Sequence, residues 1–171
     1  KNIAGQQIYL GDKTQPFLSK EEVKNLNIPK GTLLPEEREI INDHIVITIE
    51  MLEQLPYPKQ LKNVPEFAGG HHEKLDGTGY PKRLKGNEMS TQAKIMAIAD
   101  IYEALTAADR PYKDGKKLSQ AMRIMGYMKN DYHIDEELFE IFVKSGVYKK
   151  YADKYIADTQ IDKVDEDAVL D

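Results

Sequence analysis

The chain has 171 residues, of which 40% are hydrophobic and 31% charged, with no cysteine and a net charge of −5. This composition fits one soluble globular domain, or most of one, and no apolar run approaches the roughly 20 residues needed to cross a bilayer. Disulfides and thiolate metal sites are excluded, and nonspecific binding to long nucleic acid is disfavoured, while a small phosphorylated ligand held by a local basic cluster stays open. Nothing at the N-terminus resembles a signal peptide, and the absence of cysteine fits a reducing cytosol, so a cytoplasmic protein is expected.

Residues 1–33 contain Gly5, Gly11, Pro16, Pro29 and Gly31 and have no clear hydrophobic period. One short helix is expected there, from Lys20 to about Leu26 with Ser19 as its cap. The rest of this stretch reads as an irregular lead-in from the middle of a larger protein. From Leu34 the pattern changes: Pro35 suits a first helical position, and Glu36 and Glu37 suit the first turn. Ile40, Ile41, His44, Ile45, Met51 and Leu52 recur at helical spacing, with Thr48 polar on the same face, until Leu55-Pro56 ends the run. A second helix is expected from Val64 to about His72. Residues 75–89 carry Gly77, Gly79, Pro81 and Gly86 and read as loop.

Four helices follow. Ser90 caps the first, Thr91 to about Ala108, and Ser119 caps the second, Gln120 to Lys129. Asp135 caps the third, Glu136 to Lys144, which Gly146 stops, and the last runs from about Val147 to Ile156. The acidic residues 158–171 read as a frayed tail. Alternating strand patterns are missing, so the fold class is all-α, with a helical domain over 34–157.

Residues 71–81, His-His-Glu-Lys-Leu-Asp-Gly-Thr-Gly-Tyr-Pro, carry most of the functional information. Imidazole and carboxylate oxygen are the ligand set of iron, manganese, zinc or nickel. Gly77 and Gly79 allow tight bending and close approach, and Pro81 fixes the exit. Adjacent helical residues diverge by about 100°, so His71 and His72 serve one cluster only if they address different metals or sit at a frayed helix end. Asp100 lies within Ile95-Met96-Ala97-Ile98-Ala99-Asp100-Ile101-Tyr102, apolar on nearly every side, and is expected to be buried. It then needs a set of hydrogen bonds or a cation, the latter being Arg110 or Lys94 in a salt bridge or a metal. His44 shares its face with apolar residues and reads as a core histidine or a ligand. Arg110 and Lys113, around Pro111-Tyr112, offer bidentate and point-charge contacts to phosphate, or form a solvated turn. His133 reads as a loop residue before a cap and receives no role.

These residues in this order resemble the HD-GYP family of the HD superfamily of metal-dependent phosphohydrolases. The matching stretches are His71-His72-Glu73 with Asp76-Gly77-Thr78-Gly79-Tyr80-Pro81, then Ala99-Asp100-Ile101-Tyr102-Glu103-Ala104-Leu105-Thr106, then Asp109-Arg110-Pro111-Tyr112-Lys113. Leu33-Leu34-Pro35-Glu36-Glu37 and His44 resemble the segment ahead of the motif. The resemblance implies a helical bundle of the HD type and metal-assisted hydrolysis of cyclic di-GMP at a centre of two or three metals, often iron. It makes His44, His71, His72 and Asp100 metal ligands. Arg110, Lys113 and Tyr80 lie near the nucleotide, and Asp76, Gly77, Thr78, Gly79 and Pro81 form the pocket wall.

One departure is large: the chain has no His-Asp doublet, and its first histidine is His44. The expectation is therefore a bundle truncated at its N-terminal side, with an upstream sensor or receiver domain in the parent protein. Such a chain would bind at most one metal and turn over cyclic di-GMP very slowly. A smaller departure is Thr106-Ala107-Ala108-Asp109, one residue longer than the family's spacing. Two other readings stay open. One is a non-catalytic module docking a diguanylate cyclase domain through the Gly-Thr-Gly-Tyr-Pro surface; the other is a hydrolase of another nucleotide. A homodimer is compatible with all three.

Overall fold

Caps and glycine stops written into the sequence set many of the element boundaries in the computed structural model, which describes residues 3–10, 13–28, 33–108 and 115–171. The backbone divides into two compact units, Lys1–Asp43 and His44–Asp171.

The first unit holds an antiparallel hairpin, β1 (Gln7–Leu10) with β2 (Lys13–Pro16), pairing Ile8 with Gln15 and Tyr9 with Thr14. This pair was not expected, because β2 is exposed along its whole length and no buried face imprints a period of two. Helix α1 (Lys20–Leu26) starts where expected. The Glu22 amide donates to Ser19 Oγ at 3.1 Å, and the Ser19 amide donates to Glu22 Oε2 at 2.7 Å. Two otherwise orphaned amides are thereby satisfied reciprocally. Helix α2 (Pro35–Asn42) has Pro35 at its start, and the Leu34 amide donates to Glu37 Oε2 at 2.7 Å. Lys24 of α1 and Glu36 of α2 form an ion pair.

The single helix expected from Pro35 onward is two. Helix α2 ends before Asp43, and α3 runs His44–Glu53. The apolar residues on either side do not make one buried stripe: Ile45 and Ile49 are buried, whereas Ile40, Ile41 and Met51 are exposed.

In the second unit, α4 (Val64–Gly69) packs between α3 and α5 (Thr91–Thr106). Two glycines make this approach close. A Cβ on Gly69 would lie 2.7 Å from Ile49 of α3, and one on Gly70 would lie 2.7 Å from the Ala93 Cβ of α5. Larger residues there would push apart the helices that carry His44 and Asp100. Ser90 caps α5 by accepting the Ala93 amide at 3.2 Å.

The main core gathers α5, α6 (Leu118–Asn130), α7 (Glu136–Lys144), α8 (Val147–Tyr155) and α9 (Glu166–Leu170) around Tyr102, Met122, Met125, Phe139, Val143 and Tyr148. Asp135 caps α7 through the Leu138 amide at 3.2 Å, and Gly146 follows it in the left-handed region with φ 66°. Ser119 does not cap α6, which begins one residue earlier. Its hydroxyl and amide instead donate to Asp162 at 2.8 and 2.7 Å.

That contact belongs to a larger correction, because residues 158–171 are not frayed. Gln160 is buried and donates to the carbonyls of Thr106 and Lys116 at 3.0 and 2.9 Å. Lys129 donates to the Leu170 carbonyl at 2.5 Å, and Gly126 leaves room for Val169, whose oxygen would lie 2.7 Å from a Cβ at that position. Gln160 and Asp162, which look like solvated tail residues, are therefore structural. No helix among the described residues is long and apolar enough to cross a membrane.

Candidate metal centre

His44 opens α3, whereas His71 and His72 lie in the turn that follows α4, which ends at Gly69 rather than at the expected His72. Being past the helix end, the pair escapes helical divergence, and their ring centroids are 4.1 Å apart. The divergence argument for two separate metals does not apply to them. One ring nitrogen from each of His44, His71 and His72 lies within 4.8 Å of the other two. The His44 and His72 Nε2 atoms face each other at 3.2 Å.

The donor chemistry suits a divalent ion. An ion held at about 2.1 Å by imidazole nitrogens separates neighbouring ligand atoms by roughly 3.0–3.4 Å, from octahedral to tetrahedral geometry. The His44–His72 separation falls inside that window. His71 Nδ1 lies 2.5 Å from the Ala68 carbonyl, which only accepts, so Nδ1 carries the proton and Nε2 keeps its lone pair. A backbone carbonyl holding the far nitrogen is the usual support of a ligating histidine. Burial, then the charges of His71 and His44, push His72 down to about 4 against an opposing pull from Asp100. Its ring is neutral at pH 7, the state a ligand needs.

Asp100 stands differently from the expectation. Helix α5 buries Ala93, Ala97, Ile98 and Tyr102, so the opposite face, with Ile95, Met96, Ala99 and Asp100, is exposed. An exposed carboxylate needs no cation, and the Lys94 proposed for it pairs instead with Asp135 at 2.9 Å. Asp100 still faces the centre electrostatically. Its charge opposes the downward shift of His72 and, after burial, raises the Tyr80 hydroxyl.

The Gly-Thr-Gly-Tyr-Pro turn forms the adjoining wall. Gly77 has φ 80°, and a Cβ on Gly79 would lie 2.4 Å from both Glu73 Cα and Lys74 N, so both positions require glycine. Asp76 Oδ1 accepts the Thr78 amide at 2.8 Å and its hydroxyl at 2.7 Å, and these bonds hold the Asp76 carboxyl below its ordinary range. The Tyr80–Pro81 bond is cis, and the Tyr80 ring stacks on His72 at 4.8 Å and 21°. Neither carboxylate of the 71–81 stretch is a donor to the histidine cluster, since Asp76 serves Thr78 and Glu73 serves backbone amides. Glu73 is the residue that sequence reasoning missed. The available signal was the turn itself, which leaves amides beyond Pro81 with neither helix nor strand to receive them. Arg110 and Lys113 lie outside the described residues.

A family model described as an HD domain matches residues 19–138. The chain belongs to the HD-domain family, as the resemblance to HD-GYP proteins implied. Among its curated relatives, a 3'3'-cGAMP-specific phosphodiesterase 3 from Vibrio cholerae serotype O1 is 36% identical over 131 residues, 75% of this chain and 27% of the relative. A cyclic di-GMP phosphodiesterase from Thermotoga maritima is 35% identical over 129 residues, 72% of this chain and 34% of the relative. A 3'3'-cGAMP-specific phosphodiesterase 1 from Vibrio cholerae serotype O1 is 42% identical over 82 residues, 48% of this chain. The chain spans 19% to 34% of the length of these relatives.

Proposed function

We propose that this chain supplies the GYP side of the active site of a metal-dependent phosphodiesterase that hydrolyses cyclic dinucleotides, cyclic di-GMP or 3'3'-cGAMP. The observation that carries this reading is the convergence of the His44, His71 and His72 ring nitrogens beneath the Tyr80 wall. In it, His44, His71 and His72 hold a divalent ion, iron by family resemblance, and Asp100 adds a carboxylate from the exposed face of α5. Such an ion supplies Lewis-acid charge against a phosphodiester and makes water a better nucleophile at neutral pH. Tyr80 borders the nucleotide, Gly77 to Pro81 exclude solvent on that side, and Arg110 and Lys113 offset phosphate charge. Remaining ligands belong to the His-Asp doublet that this sequence lacks.

The test is metal content and turnover of the purified chain after anaerobic loading with Fe(II) or Mn(II). Up to one equivalent of metal is expected, removed by His72→Ala, with slow hydrolysis of both dinucleotides. A chain that takes no metal sinks the reading, and two tightly bound metals with rapid turnover sink its half-site part. A second reading, favoured if the upstream sequence replaces the doublet, is a module that docks a diguanylate cyclase domain without catalysis. It predicts cyclase binding that survives His72→Ala and removal of metal.

A further inference from the structure

Glu73 follows His72 directly and is 1% exposed. Among the described residues no lysine or arginine forms an ion pair with it. A buried carboxylate without a cation is costly unless hydrogen bonds satisfy it. Among the described residues the satisfaction comes from backbone only. The Lys82 amide donates to Oε1 at 2.7 Å, and the Leu84 amide donates to Oε2 at 2.9 Å. The two oxygens thus grip the chain nine and eleven residues downstream and close the loop between into a ring.

Two further ties fall at the same place. The Tyr80 amide donates to the His72 carbonyl at 3.2 Å, and Gly79 lies against the Glu73 backbone so closely that a Cβ has no room. The product of these contacts is the Tyr80 ring held flat on His72. We propose that Glu73 is a positioning residue: its carboxylate locks the 79–84 segment, and through it sets Tyr80 and the His72 ring for ion and nucleotide. This assignment rests on the preceding reading for its purpose, but not for its geometry.

The chemistry makes the carboxylate hard to replace. Glutamine has the same shape but only one acceptor oxygen, so its NH2 must face one of the two amides and leave it unpaired. Aspartate keeps the charge and loses the reach of one methylene.

The chain has four histidines, so imidazole NMR of the purified protein resolves them. Tyr80→Ala sets the full ring-current shift that Tyr80 imposes on His72. Glu73→Gln and Glu73→Asp should each lose at least half of it while circular dichroism stays unchanged. Glu73→Gln should also weaken Mn(II) binding by on the order of tenfold. In the unaltered chain the Lys82 and Leu84 amides should exchange with solvent at least tenfold, in order of magnitude, more slowly than in an unstructured peptide. Unaltered His72 resonances or Mn(II) affinity in Glu73→Gln would overturn the assignment. So would unprotected Lys82 and Leu84 amides in the unaltered protein, a measurement that stands even if the variants do not fold. A chain that binds no Mn(II) overturns the metal reading instead, and the ring-current and exchange measurements still decide on Glu73.

Discussion

His44 and the His71–His72 pair reach one point from regions that are supported very differently. The pair sits on a turn in which almost every polar group is engaged locally: His71 with Ala68, Glu73 with Lys82 and Leu84, Asp76 with Thr78, and Leu75 with Gly86. His44 is the first residue of α3, a helix whose buried residues are Ile45 and Ile49, while Ile47 and Met51 are exposed. The difference teaches that rigidity here is concentrated on one wall. Backbone-to-carboxylate bonds and glycine contacts make a stiff loop, whereas a helix held by few buried side chains opens more readily.

The largest test of that contrast is Ile45→Ala. Ile45 is fully buried, and truncation should cost about 2–5 kcal/mol in denaturant unfolding. It should also separate His44 from His72 in NMR while the Tyr80–His72 contact persists. If the two contacts fail together, the contrast is broken. Next in size is linkage to metal. At a hundredfold excess of Mn(II) over its Kd the chain should gain about 2.7 kcal/mol of stability, and His72→Ala should remove the gain. Hydrogen exchange should locate most of the added protection in α3, since the turn is already ordered.

Gly79→Ala attacks the stiff wall. Its Cβ would meet the Glu73 and Lys74 backbone at 2.4 Å, so a loss of about 1–3 kcal/mol is expected by thermal unfolding, with Tyr80 displaced from His72. A neutral outcome would mean that the wall yields as easily as α3. The smallest effect belongs to the scaffold shared by both regions, where Asp135 at the start of α7 pairs with Lys94 of α5. Burial pushes the Asp135 carboxyl up, but the Lys94 hydrogen bond and charge and the Leu138 amide outweigh it and hold it below 3.8. A folded-state value below the unfolded one stabilises the protein above the unfolded value, and that stability is lost as pH falls through the folded value. Asp135→Asn keeps the cap, because Asn caps helices about as well as Asp. Its cost at pH 7 should therefore be under about 1 kcal/mol and should vanish as pH falls through the folded-state value. Urea unfolding across pH measures it, and an unchanged acid limb would show that the pair contributes nothing.

Features set by nearby residues were legible in the sequence. Ser19, Ser90 and Asp135 cap helices because their partner amides are three residues away, and Gly146 stops α7 because only its own φ is involved. The histidine cluster was legible as a set of ligands but not as a geometry. What failed depended on distant partners. Ser119 looks like a cap but bonds to Asp162, which is 43 residues away. Asp100 looks buried because its neighbours are apolar, yet the choice of which α5 face packs against α4, α6 and α7 leaves it outside. The 158–171 segment looks solvated by composition, and only the pocket beside Gly126 and Lys129 reveals why it is packed.

The bond from His71 to the Ala68 carbonyl has an entropic consequence. A histidine on a free turn samples several rotamers, and an ion that binds it must select one, at about 0.5–1.5 kcal/mol for each immobilised side chain. In this chain that selection is complete once the turn has folded, because Nδ1 is already committed to the carbonyl. In the proposed reading, an arriving ion therefore meets a donor atom whose search is over.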